Sequence, residues 1–96
     1  MRITGGQIQS WKSAISEIQA LSRKDVPAML YITGRLIGRE LEALGDLTKA
    51  EWIELRDQAY PNWQDDDWTV SPDFRVQIAE IYDEYRETVL GQKRLF

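Results

Sequence analysis

The side chains of this chain that could do chemistry are nearly all carboxylates. Of 96 residues, 16 are Asp or Glu and 12 are Lys or Arg, with neither a histidine nor a cysteine. The usual general base, a thiolate nucleophile, a disulfide framework and a Cys- or His-ligated zinc are therefore excluded. Acid–base work by paired carboxylates and capture of a hard cation remain. Glu80 and Glu84 stand four apart, a spacing that places both on one face of a helix. No nucleophile or metal motif accompanies them, and they read as a solvated surface. Asp65, Asp66 and Asp67 are consecutive, whereas a Ca²⁺ loop needs alternating ligands, a glycine and a distal glutamate. They read as an acidic loop. The expectation is a protein that is not an enzyme and holds neither cofactor nor metal.

Charge is unevenly distributed along the chain. Residues 1–50 carry 7 basic and 5 acidic groups (+2), and residues 51–96 carry 5 basic and 11 acidic groups (−6). Those eleven acids are Glu51, Glu54 and Asp57, then Asp65 to Asp67, then Asp73, Glu80, Asp83, Glu84 and Glu87. Gathered on one surface they would imitate a row of phosphates and could occupy a nucleic-acid channel. Duplex binding draws on several Lys or Arg side chains, so no direct sequence-specific contact with nucleic acid is expected. Arg23, Lys24, Arg35 and Arg39 form the basic cluster of the sequence, read either as solvated helix charges or as a contact for an acidic partner.

The last six residues, Gly91-Gln92-Lys93-Arg94-Leu95-Phe96, end on an apolar pair behind a basic stretch. Gln92, Leu95 and Phe96 form Gln-x-x-Leu-Phe, which resembles the bacterial sliding-clamp-binding motif. The resemblance implies that the glutamine bonds at the rim of a hydrophobic pocket on the clamp and that the Leu-Phe pair fills it. The other reading of Leu95 and Phe96 is a hydrophobic cap folded back onto the body. Residues 3–60 contain Ile3-Thr4-Gly5-Gly6-Gln7, Gly38-Arg39-Glu40-Leu41 and Leu47-Thr48-Lys49-Ala50-Glu51. These segments resemble small helical domains of phage and mobile-element recombination proteins.

The elements that must position these residues are helices. Ile8, Trp11, Ile15 and Ile18 recur at three- and four-residue spacing, predicting a first helix over about 6–22. Pro27, acceptable in a first turn, opens a second. Leu30, Gly34, Ile37, Leu41 and Leu44 carry that helix to a stop at Gly45. Gly34 and Gly38 then fall in its interior, where they read as space for a close crossing by a bulky side chain such as Trp11 or Trp52, the other reading being a ligand cleft.

Thr48 and Glu51 make a capping box that starts a third helix at Lys49, with Trp52, Leu55 and Ala59 on its inner edge and Pro61 ending it. As a recognition helix it would set Glu51, Glu54 and Asp57 against Lys49 and Arg56, the wrong balance for a DNA groove. The segment 61–70 has no period and reads as a loop whose Trp63 and Trp68 lid the core. Ser71 as N-cap and Pro72 in the first turn begin a fourth helix, with Phe74, Ile78, Ile81, Tyr82, Tyr85 and Val89 inward and Gly91 as its stop.

The expectation is thus an all-α, compact four-helix domain over 1–90, with a long acidic, Trp-containing loop between helices 3 and 4 and a tail over 91–96. The longest apolar run, Ala28 to Ile32, is too short to span a membrane. The first residues lack the apolar stretch of a secretory signal, which makes cytoplasmic the default location. The functional expectation is a non-catalytic protein-interaction adaptor of phage or mobile-element type, its tail docked on a sliding clamp. The alternatives are an acidic inhibitor that mimics nucleic acid or blocks a defence system, and a structural subunit of a homo-oligomer. The sequence leaves oligomeric state open.

Overall fold

Two threonines open two helices by the same reciprocal pair of bonds. Thr4 Oγ1 accepts from the Gln7 amide while Gln7 Oε1 accepts from the Thr4 amide. Thr48 and Glu51 repeat the arrangement. Each box satisfies two backbone donors that a helix start leaves without partners. They begin α1 (Gly5–Gln19) and α3 (Lys49–Ala59). Asp25 caps α2 (Val26–Ile37), whose first turn holds Pro27. Proline also stands in the first turn of α4 (Pro72–Thr88). Ser71 occupies the N-cap position there without a side-chain bond, and its amide instead donates to the Ala59 carbonyl at 2.9 Å, which ties the start of α4 to the end of α3. The computed structural model describes residues 1–89 and 91, and among these the chain is all-α, with four α-helices and two single 3₁₀ turns. None of these helices is long and apolar enough to cross a membrane.

The helix starts follow the sequence reading closely, and two stops do not. α1 ends at Gln19, with Ala20 in the left-handed region at φ 58°. The Leu21 amide bonds back to the Ser16 carbonyl and the Leu21 side chain turns into the core, which a continued helix would not allow. α2 stops at Ile37, seven residues short of Leu44. Gly38, expected inside the helix, is its C-cap at φ 81°, a conformation that favours glycine. Gly45 is not left-handed; it sits in the 3₁₀ turn Leu44–Asp46 that returns Leu44 to the core.

Gly34 is the glycine required by packing. A Cβ there would lie 2.7 Å from the Arg39 carbonyl oxygen, and the Arg39 amide donates to the Gly34 carbonyl at 3.1 Å. What approaches is the chain's own turn out of α2, and neither Trp11 nor Trp52.

The core draws on every helix. Ile15, Met29, Ile32, Leu55 and Ile78 are fully or almost fully buried, each burial favouring the fold by about 1.5–3 kcal/mol. α4 packs against each of the other three helices. Trp11 is the core tryptophan. It is 3% exposed, meets Phe74 edge-on, and donates its indole N–H to the buried Thr33 hydroxyl at 2.8 Å. That bond satisfies a polar pair which would otherwise be costly to enclose. At the opposite end the entry to α1 pairs with the entry to α3, since Ile3 donates to the Leu47 carbonyl, Lys49 donates to the Met1 carbonyl, and Arg2 and Thr48 form an antiparallel bridge.

Candidate functional site

Gln92, Leu95 and Phe96, the clamp-motif residues, lie outside the described residues. The basic cluster of the sequence does not stand as one patch. Arg23 reaches Gln9 on α1 at 3.2 Å, and Lys24 is exposed in the same turn. Arg35 crosses to α4, where Glu84 accepts from its guanidinium at 2.9 and 3.3 Å and from the Tyr31 hydroxyl at 2.9 Å. Arg39 forks onto Glu51 at 2.7 and 2.8 Å and also donates to the Asp46 carbonyl. This two-toothed pairing holds the Glu51 carboxyl well below the usual range, at about 2, with the Thr48 cap helping against the cost of burial.

The acids are used in the same way. Besides Glu51 and Glu84, Asp57 accepts the Trp63 indole N–H at 2.7 Å, Asp66 accepts that of Trp68 at 3.2 Å, and Asp67 takes both the amide and the hydroxyl of Thr69. The Thr69 bonds lower the Asp67 pKa. Glu54, Asp65, Asp73 and Glu80 are exposed, whereas Asp83 is half-buried and Glu87 exposed, both with interactions of their own. Among the described residues no group of three acids is placed to hold a metal ion.

What the structure assembles instead is a cleft of about 910 Å³. One wall is the outer face of α1, with Gln9, Ser10, Ser13 and Glu17. The facing wall is α3 and the chain that follows it, with Trp52, Arg56, Tyr60 and Trp68, and Arg75 of α4 stands at its margin. The positions 52, 56 and 60 recur every four residues, which lines them up along one stripe of the helix and its exit. Pro61 then turns the chain so that Trp63 and Trp68 come back over that stripe. Trp68 meets Tyr60 edge-on at 5.4 Å and Trp63 at 6.2 Å. It remains 52% exposed, so it forms a wall of the cleft and does not lid the core.

No known protein family, curated protein or solved structure matches this chain.

The three segments that resemble mobile-element domains have definite local roles. Two are the capping boxes of α1 and α3, and Gly38 to Leu41 is the turn out of α2. Those residue types are what helix starts and stops require in any sequence.

Arg56 is the residue in the cleft that sequence reasoning passed over, counting it as one more helix charge. Its guanidinium carbon lies 3.7 Å from the centre of the Trp63 ring and 5.2 Å from that of Trp52, so the cation is held between two indoles. Its Nε is buried and has no hydrogen-bond partner among the described residues, and its Nη2 reaches Asp57 at 3.5 Å, a long ion pair. The available signal was local: an arginine four residues after a tryptophan on a helix, with another tryptophan just past a proline stop.

A second groove, of about 560 Å³, runs between α2 and the end of α4. Leu30, Tyr31, Leu41, Tyr85 and Val89 line it, with Arg35 and Arg39 at the side.

Proposed function

We propose that this protein is a non-catalytic interaction adaptor of phage or mobile-element type, with a helical body that holds one protein partner and a C-terminal Gln-x-x-Leu-Phe that docks a sliding clamp. The observation that carries the reading for the body is the open cleft whose walls present tryptophan, tyrosine and arginine, the residue types that dominate binding energy at protein interfaces. The resemblance of Gln92, Leu95 and Phe96 to the clamp motif supplies the second partner. The acids favour this reading over a phosphate mimic, because Glu51 and Glu84 are paired with Arg39 and Arg35, and Asp57, Asp66 and Asp67 accept hydrogen bonds from Trp63, Trp68 and Thr69 of the 61–70 loop. An obligate homo-oligomer would expose a broad apolar face. The large apolar side chains more than half exposed among the described residues are Met1, Trp68, Val76 and Val89; the two valines lie about 20 Å apart along α4 by helical rise.

The test is binding of the full chain to a bacterial sliding clamp, beside a variant lacking Leu95 and Phe96. Retained helical content in the variant, with binding lost, is the expected result. Equal binding by both, or by neither, removes the clamp from the proposal.

A further inference from the structure

The cleft between α1, α3 and the 61–70 loop combines three properties that narrow what it can hold. The first is sign. The protein carries a net −4, yet the cleft is lined by two arginines, Arg56 and Arg75, against a single acid, Glu17. The second is preorganisation. A guanidinium is a flat fork suited to a carboxylate, and on a free side chain much of that advantage is lost to rotamer freedom. Here Arg56 is already fixed between Trp63 and Trp52. Its bond to Asp57 is long, at 3.5 Å, because the same carboxylate oxygen accepts a closer bond from the Trp63 indole at 2.7 Å. The third is the company of apolar surface. Trp52 and Trp68 offer ring area beside the charge, while Ser10 and Ser13 offer hydroxyls across the gap.

We infer that this cleft binds an acidic segment of a partner protein, in which one Asp or Glu carboxylate meets Arg56 and Arg75 and a neighbouring apolar side chain lies on Trp52 and Trp68. The inference rests on the adaptor reading and names the chemistry of the body's partner. A single-stranded nucleic acid would also find rings to stack on. Its repeating phosphates, however, would pass Asp65, Asp66 and Asp67, all exposed in the loop that forms the cleft wall, and like charges at that distance repel. A peptide brings one negative charge to the arginines and none to the loop. The volume, about 910 Å³, suits a few side chains of a segment rather than a whole folded face.

The experiment is an NMR titration of the full ¹⁵N-labelled chain, following the indole N–H signals of Trp52 and Trp68 and the Nε–H of Arg56. The probes are acetyl-Leu-Glu-Leu-amide, its glutamine counterpart and a short oligothymidine. Saturable shifts are expected with the glutamate peptide, and binding about fivefold or more weaker with the glutamine peptide, the difference between a charge-assisted and a neutral bond. Arg75→Gln, at an exposed position, is expected to weaken the glutamate peptide while leaving the spectrum folded. Arg56→Lys, which keeps the charge and loses the fork, is expected to narrow the preference for glutamate over glutamine. No saturable shift, equal binding of the two peptides, or tighter binding of oligothymidine overturns the inference. Clamp binding depends on the tail and is read separately, so either result can fail without the other.

Discussion

Arg39 and Arg56 place the same guanidinium in two corners of the molecule that treat its charge differently. At the exit of α2, Arg39 is met by both oxygens of Glu51 and by a backbone carbonyl, and the turn that presents it passes so close to Gly34 that no side chain fits between. At the exit of α3, Arg56 is met by ring faces, and its buried Nε has no hydrogen-bond partner among the described residues. In the first corner the charge ties the turn out of α2 to the start of α3. In the second it is held between rings, with Asp57 as a long ion-pair partner at 3.5 Å that is itself bonded more closely to Trp63. Charge used to set a fold and charge available to a partner can thus be told apart by partners and distances, where the sequence shows only arginines.

The comparison can be broken by changes made on each side of it. The largest effect is expected from Gly34→Ala, which would force the Arg39 carbonyl to move; overpacking of this kind costs about 1–3 kcal/mol, read as a lower urea midpoint. An unchanged midpoint would show that the α2 turn is not closely packed. Next is Arg56→Ala, which removes a cation from two rings and the packing of its stem, for a loss of about 1–2 kcal/mol and a red-shifted tryptophan emission. A loss as large as that of Gly34→Ala would make Arg56 a part of the scaffold.

Smallest at neutral pH is Glu51→Gln, because the ion pair is partly exposed and a glutamine still completes the capping box. Its signature lies in acid. Glu51 has its pKa lowered from 4.5 to about 2 in the folded protein, so its contribution is present above the ordinary value and is lost as pH falls toward 2. Thermal unfolding of the wild type should therefore decline more steeply across that interval than that of the variant. Parallel curves would mean that the pair does not stabilise the fold.

Much of the architecture was legible because helix starts are written locally. Thr48 and Glu51 carry their own hydrogen-bond logic within four residues, and Pro27 its own dihedral, and α3 begins at Lys49 as the capping box implies. Stops were harder. Leu41 and Leu44 continue the three-four rhythm beyond Gly38, and periodicity cannot distinguish a leucine that reaches the core along a helix from one that reaches it through a 3₁₀ turn. Trp52 matched its helical stripe but lies half-buried in the cleft wall, while Leu55 and Ala59 take the core positions. The cleft itself was not legible, because it depends on Pro61 returning Trp63 and Trp68 over Arg56. That relation is set by tertiary packing and by no short-range pattern.

The small bridge between Arg2 and Thr48 also has a consequence for timing. A chain made from its N-terminus completes α1 before Leu47 and Lys49 exist, so the residues leading into that helix must wait, unpaired, for the start of α3. The Thr4 capping box needs nothing beyond Gln7 and so satisfies two donors at the start of α1 without any residue of α3. The seam joins residues 1–3 to 47–49 and can form only after the start of α3 has been made, whereas the cap of α1 needs only its own first turn.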